Sequence, residues 1–145
     1  MLRIPIEWRD PSGAIVSDRT SFAQPFMSIE ISSQKLTTWV PVIALVDTGL
    51  ASTSIHQVIL EKIGCLPVGA INLFGSAGWQ DFRTFSGAFR FPDHPTQAGT
   101  IAFSAIDSPI GHSQYTGAIG MDILRLGRLV LAPQNGLSFF ELPAA

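Results

Sequence analysis

The chain has 145 residues, enough for one hydrophobic core, and we predict a single domain over residues 1–145. A net charge of −2 without a clustered basic face argues against nucleic-acid binding, and no apolar run reaches the roughly 18 residues that a membrane span needs. Cys65 is the only cysteine, so no intrachain disulfide can form and a cytoplasmic location is the default expectation. Apolar residues make up 46% of the chain and charged residues 14%, which suggests that a partner covers part of its surface.

The first third of the chain is dominated by a period of two, which is typical of strands. Apolar residues alternate with other residues over 2–8, where Pro5 indicates an edge or terminal strand. The same alternation over 27–32 predicts a half-buried strand. Residues 39–46 are almost wholly apolar, and we expect a strand covered on both faces.

The middle of the chain predicts a short helix and a hairpin. Helical spacing of apolar residues over 56–63, followed by Gly64, predicts the helix. Residues 71–74 and 82–91 predict two strands on either side of Gly75-Ser76-Ala77-Gly78. Residues 93–100 contain Pro95 and Gly99 and predict a loop.

The last third predicts a helical turn and a final hairpin. The turn should occupy residues 122–126 and end at Gly127. Strands at 129–131 and 137–142 should pair across residues 133–136, because Asn-Gly is a strong hairpin signal. The sequence as a whole predicts an all-β domain with one or two short helices.

The stretch from Ile43 to Gly49 is the most informative part of the sequence for function. Asp47 follows a buried apolar run, where a carboxylate is costly unless it is hydrogen-bonded, paired or functional. Gly49 permits a tight turn, so backbone amides can hold the Asp47 carboxylate, and Thr48 adds a hydroxyl to the loop. On this tripeptide alone, an ordinary turn after a strand is the favoured interpretation, because Asp-Thr-Gly often occurs by chance; the apolar run before it shifts the balance towards a functional carboxylate.

Two further features accompany the Asp-Thr-Gly triplet. Downstream lies Ala118-Ile119-Gly120-Met121-Asp122-Ile123-Leu124, two apolar residues and a glycine before a short helix. Between the triplet and this segment lies the glycine-containing hairpin at residues 75–78. In order and approximate spacing, the set resembles a bacterial retropepsin-like aspartic protease over about residues 39–131. The resemblance implies a closed-barrel-like acid protease fold.

The resemblance also implies roles for individual residues. Asp47 would be the catalytic aspartate, Thr48 would hydrogen-bond across a dimer axis, and Gly49 would lie beside the substrate. Gly75, Ser76, Ala77 and Gly78 would form the tip of a mobile flap over the bound peptide, with Trp79 near its base. Ala118, Ile119 and Gly120 would support the catalytic loop. For Trp79, ordinary packing within the hairpin remains the alternative, and Asp122 is expected to cap or pair near the following helix.

Counting carboxylates favours a homodimer. Aspartic proteolysis needs two carboxylates that share a proton and activate a water, and this chain has one Asp-Thr-Gly. A two-fold partner would supply the second carboxylate. The sequence leaves open whether the terminal strands of the two subunits interleave, as they do in viral members of the family.

Leu50 departs from the family pattern, in which viral members usually carry Ala after the triplet and pepsins carry Ser or Thr. A leucine cannot donate a hydrogen bond to an ionised carboxylate, and its bulk should dry the site. Both effects disfavour the charged form, so we expect activity at mildly acidic to neutral pH. Leu50 also leaves open whether ordinary substrates fit the cleft.

The rival hypothesis is a dimeric peptide-binding or scaffolding module of the same fold with little or no turnover. No cofactor is implied, and the spacing of His56, His94 and His112 does not indicate a metal site. The expected partners are a second copy of the chain and a peptide or protein substrate, with no nucleic acid and no membrane.

Overall fold

The computed structural model describes residues 1–16, 22–75, 77–107, 116–133 and 136–143. Within them the secondary structure is mainly β with two short helices, which confirms the predicted all-β class. The helices are α1 Gln57–Lys62 and α2 Met121–Leu124. In chain order the strands are β1 Leu2–Pro5, β2 Glu7–Arg9, β3 Gln24–Ser32, β4 Val40–Val46, β5 Ser54–His56, β6 Leu66–Gly75, β7 Gly78–Phe91, β8 His94–Ile106, β9 Gly117–Ile119, β10 Arg128–Val130 and β11 Phe139–Leu142.

Six of these strands close into a ring. Their order is β3, β4, β9, β5, β8 and β7, and β7 pairs with β3 again, so the ring has no free edge of its own. Two of the pairings are parallel, β4 with β9 and β5 with β8. The closed ring therefore places the strand that leads into Asp47 directly beside the downstream segment at Gly117–Ile119.

The core lies inside this ring and follows the alternation of the strands. Met27, Ile29 and Ile31 of β3 are buried, as are Val42 and Ala44 of β4. Burying each large apolar side chain contributes about 1.5–3 kcal/mol relative to leaving it in water. The half-buried strand expected at residues 27–32 is therefore present, as the C-terminal part of β3.

The expectation that the strand before Asp47 is covered on both faces is wrong for a single chain. In β4 the buried residues alternate with partly exposed ones: Ile43 and Leu45 are half-buried and Pro41 is exposed. Ile43 stands opposite Ser28 of β3, which is itself exposed. The second face of β4 thus lies near the surface, although its residues are as apolar as those of the first face.

The strand predicted over residues 2–8 is divided at Ile6 between two sheets. β2 pairs with β3 of the large sheet, whereas β1 pairs with β11, which also pairs with β10. β1 lies at an edge of this three-stranded sheet, as Pro5 predicts. The final hairpin is present as β10 and β11, while residues 134 and 135 of its predicted turn lie outside the described residues.

The loop predicted for residues 93–100 is wrong, because β8 begins at His94. The turn consists only of Pro92 and Asp93, since Phe91 already pairs with His94. Gly99 is accommodated in the strand by the ring of Phe89, which would lie 3.0 Å from a Cβ at that position. The aromatic ring fills the space that a side chain at Gly99 would occupy, so the glycine does not interrupt the strand.

Both predicted helices occur, but Gly127 has a different role from the expected one. α2 ends before Arg125, whose backbone is still right-handed, so Gly127 is not its cap. A Cβ at Gly127 would lie 2.2 Å from the carbonyl oxygen of Glu141, so the absence of a side chain lets β10 begin against β11. Among the described residues, neither helix has the length and hydropathy needed to cross a bilayer.

Glu141 joins the three strands of the smaller sheet. Its carboxylate is 5% exposed and forms ion pairs with Arg3 of β1 at 2.8 Å and Arg128 of β10 at 3.0 Å. The hydrogen bond from Arg3, aided by the charge of Arg128, holds the pKa of Glu141 below its ordinary value of 4.5.

This depressed pKa predicts a specific loss of stability in acid. The contribution of Glu141 is fully present above pH 4.5 and is lost as the pH falls through the lower folded-state pKa. We therefore expect the thermal midpoint of the wild type to fall more steeply below pH 4.5 than that of Glu141→Gln. Glu61→Gln, at an exposed position of α1, is the control and should follow the wild-type curve. Parallel curves for the wild type and Glu141→Gln would contradict the prediction.

Candidate active site

Asp47 lies one residue beyond the end of β4, in a tight turn. Its Oδ1 accepts a hydrogen bond from the backbone N–H of Gly49 at 3.0 Å, and its carbonyl oxygen accepts one from the N–H of Leu50 at 3.2 Å. The carboxylate is therefore held by an amide donor, as the sequence predicts. Thr48 and Gly49 are exposed, and Asp47 and Leu50 are half-buried, so the turn projects to the surface of the single chain.

The downstream segment lies directly behind this turn. Val46 pairs with Ile119, and the N–H of Asp47 then donates to the carbonyl of Ile119 at 3.0 Å. A Cβ at Gly120 would lie 2.6 Å from the carbonyl oxygen of Leu50. The position thus requires a residue without a side chain. Ala118 is buried and pairs with Leu45 on one side and Ser54 on the other.

A second set of hydrogen bonds joins the turn to α2, and sequence reasoning missed its importance. Asp122 accepts two bonds from Thr53, from the N–H at 2.9 Å and from the hydroxyl at 2.6 Å. The Thr53 hydroxyl in turn accepts the N–H of Gly120 at 3.1 Å. The carbonyl oxygens of Leu50 and Ala51 accept the N–H groups of Met121 and Asp122. We call this set the loop clamp; it fixes residues 50–53 against residues 120–122.

β6 and β7 form the predicted hairpin, but Trp79 lies next to the Gly75–Gly78 pair at its end and not near its base. Gly75 pairs with Gly78, and Ser76, one of the two residues between them, lies outside the described residues. Trp79 is directly opposite Phe74, with ring centroids 5.3 Å apart, and both side chains are 68% exposed. Both residues lie next to the Gly75–Gly78 pair at the end of the hairpin, where their side chains remain largely exposed.

The two faces of the hairpin differ in exposure. Ile71, Leu73 and Phe82 on one face are half-buried, whereas Phe74 and Trp79 on the other are exposed. Pairing of β7 with β8 ends at Thr84, so the hairpin continues beyond that point as a two-stranded ribbon. A polar cavity of about 400 Å³ opens where the strands separate, lined by Gln57, Gln80, Asp81, Phe82, Arg83, Ala105 and Asp107.

No group of three or more His, Cys, Asp or Glu side chains among the described residues is placed to hold a metal ion. His56 ends β5 and His94 begins β8, and His112 lies outside the described residues. Cys65 is buried, which raises the pKa of its thiol and disfavours the reactive thiolate. At the turn itself, the titratable group is the Asp47 carboxylate, which accepts a hydrogen bond from the backbone N–H of Gly49.

Searches against protein-family models and against curated proteins find no match for this chain.

The loop clamp predicts that Asp122 is needed for stability. Thr53 is fully buried, so Asp122→Ala leaves its N–H without a partner, which costs about 1–3 kcal/mol. Asp122→Asn keeps one acceptor oxygen but replaces the other with a donor, so its loss should be smaller. Chemical denaturation at neutral pH measures both.

Thr53→Ser and Thr53→Val are the matched variants on the other side of the clamp. Serine keeps the hydroxyl that bonds to Asp122 and Gly120, whereas valine removes it at nearly constant volume. We expect Thr53→Val to be the less stable of the two. A denaturation midpoint unchanged in both Asp122→Ala and Thr53→Val would show that the clamp contributes nothing.

Proposed function

We propose that the chain is an aspartic endopeptidase of the retropepsin-like type, active as a homodimer. The observation that carries the proposal is the Asp47 carboxylate, which stands at the end of a strand of the closed ring and accepts the Gly49 N–H. Parallel pairing of β4 with β9 and the loop clamp fix the turn from behind. A carboxylate held this firmly at an exposed turn is suited to bind and activate a water molecule.

The chemistry requires a second carboxylate opposite the first. Two carboxyl groups close together cannot both ionise, so they share one proton. The ionised group takes a proton from the water as the water oxygen attacks the carbonyl carbon of the scissile peptide bond, and the protonated group donates its proton to the carbonyl oxygen. The C–N bond of the resulting tetrahedral intermediate then breaks: the carboxyl group that took the proton from the water passes it to the leaving amine, and the other carboxylate takes back the proton of the former carbonyl oxygen. Leu50 offers no side-chain hydrogen bond to the charged form, and the proposal accordingly includes a rate optimum at mildly acidic to neutral pH.

A second copy of the chain would supply that carboxylate across a two-fold axis. The exposed Thr48 and Gly49 leave the turn accessible to such a partner. The single chain also exposes many large apolar side chains, which supports burial in an assembly. They include Val58, Leu66, Val68, Phe74 and Trp79.

The substrate in this proposal is an extended peptide. The ribbon of β6 and β7 acts as the flap in this proposal, and no other strand of the described residues pairs with the outer edge of β6. Main-chain hydrogen bonds would supply affinity, and apolar side chains such as Leu73 would favour uncharged residues in the substrate. The reaction needs no cofactor.

Asp47→Asn tests the catalytic assignment. The amide cannot act as a base toward water, so we expect cleavage of unfolded casein to fall by about 10²–10⁴-fold or more. Thermal unfolding is the control: the asparagine side-chain oxygen still accepts the Gly49 N–H, so stability should change little. Equal cleavage by the wild type and Asp47→Asn would contradict the proposal. Peptide binding by both proteins without cleavage would favour the scaffolding module.

Gly49→Ala separates the function of the turn from its folding. A Cβ at Gly49 would lie 3.4 Å from Asp47 Oδ1, which is an ordinary contact, so stability should change by no more than about 1 kcal/mol. If the substrate runs beside Gly49, the added methyl misplaces it, and we expect kcat/KM to fall by about 10²-fold.

Gly120→Ala is the matched comparison for Gly49→Ala. Its Cβ would lie 2.6 Å from the Leu50 carbonyl oxygen, so it should lower both stability and activity. Full activity of Gly49→Ala in a folded protein would place the substrate elsewhere.

A further inference from the structure

Three serines form a buried cluster between the Asp47 turn and the hairpin of β6 and β7. Ser52 lies in the segment that the loop clamp holds, Ser54 begins β5, and Ser104 lies in β8. Ser104 is fully buried, and each of the other two is 7% exposed. The hydroxyl oxygens of Ser52 and Ser104 are hydrogen-bonded at 2.6 Å, and the hydroxyl of Ser54 donates to the carbonyl of Ser52 at 3.1 Å. Protein groups therefore serve as the partners of these hydroxyls.

Ser104 stands where the hairpin leaves the ring. On one side it pairs with Thr84, the residue of β7 beyond which the hairpin continues as a two-stranded ribbon. On its other side it pairs with Ser54, and its N–H donates to the carbonyl of Thr53 at 3.0 Å. Ser104 thus connects the base of the hairpin to the residues that follow the Asp47 turn.

The loop clamp attaches the same residues to the opposite side of the site. Thr53 bonds to Asp122 of α2 and to Gly120, which lie behind the Asp47 turn. Residues 52 and 53 therefore lie between two attachments, one to the support behind the turn and one to the strand beside the hairpin. The hairpin base cannot shift relative to the turn without straining the bonds of Ser104.

The bond between Ser52 and Ser104 adds a constraint that apolar side chains would not supply. A buried hydroxyl loses its hydrogen bonds to water, so alanine would fill either place without that loss. Buried polar groups that are bonded to one another instead fix one arrangement of the elements that carry them. The backbone bond from Ser104 to Thr53 gives one point of attachment, and the hydroxyl bond gives a second, which also limits rotation about the first.

We propose that Ser52 and Ser104 are positioning residues, whose hydroxyl bond fixes the base of the β6–β7 hairpin relative to the Asp47 turn. The proposal rests on the proposed function, in which the hairpin closes over a peptide held at that turn. Without the bond, a smaller fraction of molecules has the peptide-binding arrangement, and the apparent affinity for peptide falls by that fraction. The chemical step after binding uses the same Asp47 carboxylate, so KM changes more than kcat.

The double variant Ser52→Ala/Ser104→Ala separates positioning from stability. Ser52→Ala alone leaves the fully buried Ser104 hydroxyl without its partner and should lower the denaturation midpoint, whereas removal of both hydroxyls together is nearly neutral. In the folded double variant, we expect KM for a peptide substrate to rise by about three- to tenfold, with kcat changed by less than about twofold. Hydrogen exchange of the backbone amides in residues 71–75 and 78–83 should accelerate by a similar factor, while exchange in β3 and β4 keeps its wild-type rate.

Ser138→Ala is the matched control, because the Ser138 hydroxyl also joins two distant parts of the chain, by accepting the side-chain N–H of Trp8 at 3.1 Å. This variant should leave KM and hairpin exchange unchanged. A folded double variant in which either KM or hairpin exchange keeps its wild-type value would overturn the proposal. Exchange that accelerates equally throughout the ring would also overturn it, because the bond would then stabilise the fold without positioning the hairpin.

The exchange measurement distinguishes this proposal from the proposed function, since it needs no catalysis. If the wild type cleaves no peptide, the endopeptidase fails, while hairpin exchange still reports whether the Ser52–Ser104 bond fixes the hairpin. If the wild type cleaves peptide and the double variant has unchanged KM and unchanged hairpin exchange, the endopeptidase stands and the positioning role fails.

Discussion

The position of the Asp47 turn depends on the parallel pairing of β4 with β9 and on the continuation of that pairing into the turn. The N–H of Asp47 extends that pairing to Ile119, and the N–H of Met121 then reaches the carbonyl of Leu50. Gly120 allows the two segments to approach closely enough for these bonds to form. Two chain segments about 70 residues apart in sequence hold the turn, so its position depends on tertiary pairing in addition to its local hydrogen bonds.

Local chemistry and periodicity predict the strands and the turn, because these depend on neighbours close in sequence. The alternation over residues 27–32 and the Asp-Thr-Gly turn after an apolar strand both correspond to observed features. The pairing of Asp122 with Thr53 spans 69 positions, and no local pattern connects the two residues. Gly99 and Gly127 were misinterpreted for a related reason: each is adapted to a tertiary neighbour, Phe89 or Glu141, that the sequence does not reveal.

The single chain has two surfaces of different character. In the terminal sheet, the ion pairs of Glu141 and the burial of Phe140 join β1, β10 and β11. The outer face of β4, with Ile43 and Leu45 half-buried, is apolar and only partly covered, and so is the turn at residues 47–50 that carries the Asp47 carboxylate. The low charge content of the sequence is thus visible at the surface, where apolar residues that the core does not bury remain partly exposed.

The proposed site with one Asp47 carboxylate from each of two chains is tested most directly by the binding stoichiometry of a pepstatin-type transition-state analogue. Titration calorimetry determines this stoichiometry when the chain concentration is known independently. One site built from two Asp47 carboxylates predicts one inhibitor molecule bound per two chains. A stoichiometry of one inhibitor per chain, or no binding at concentrations where the protein is dimeric, would contradict the account.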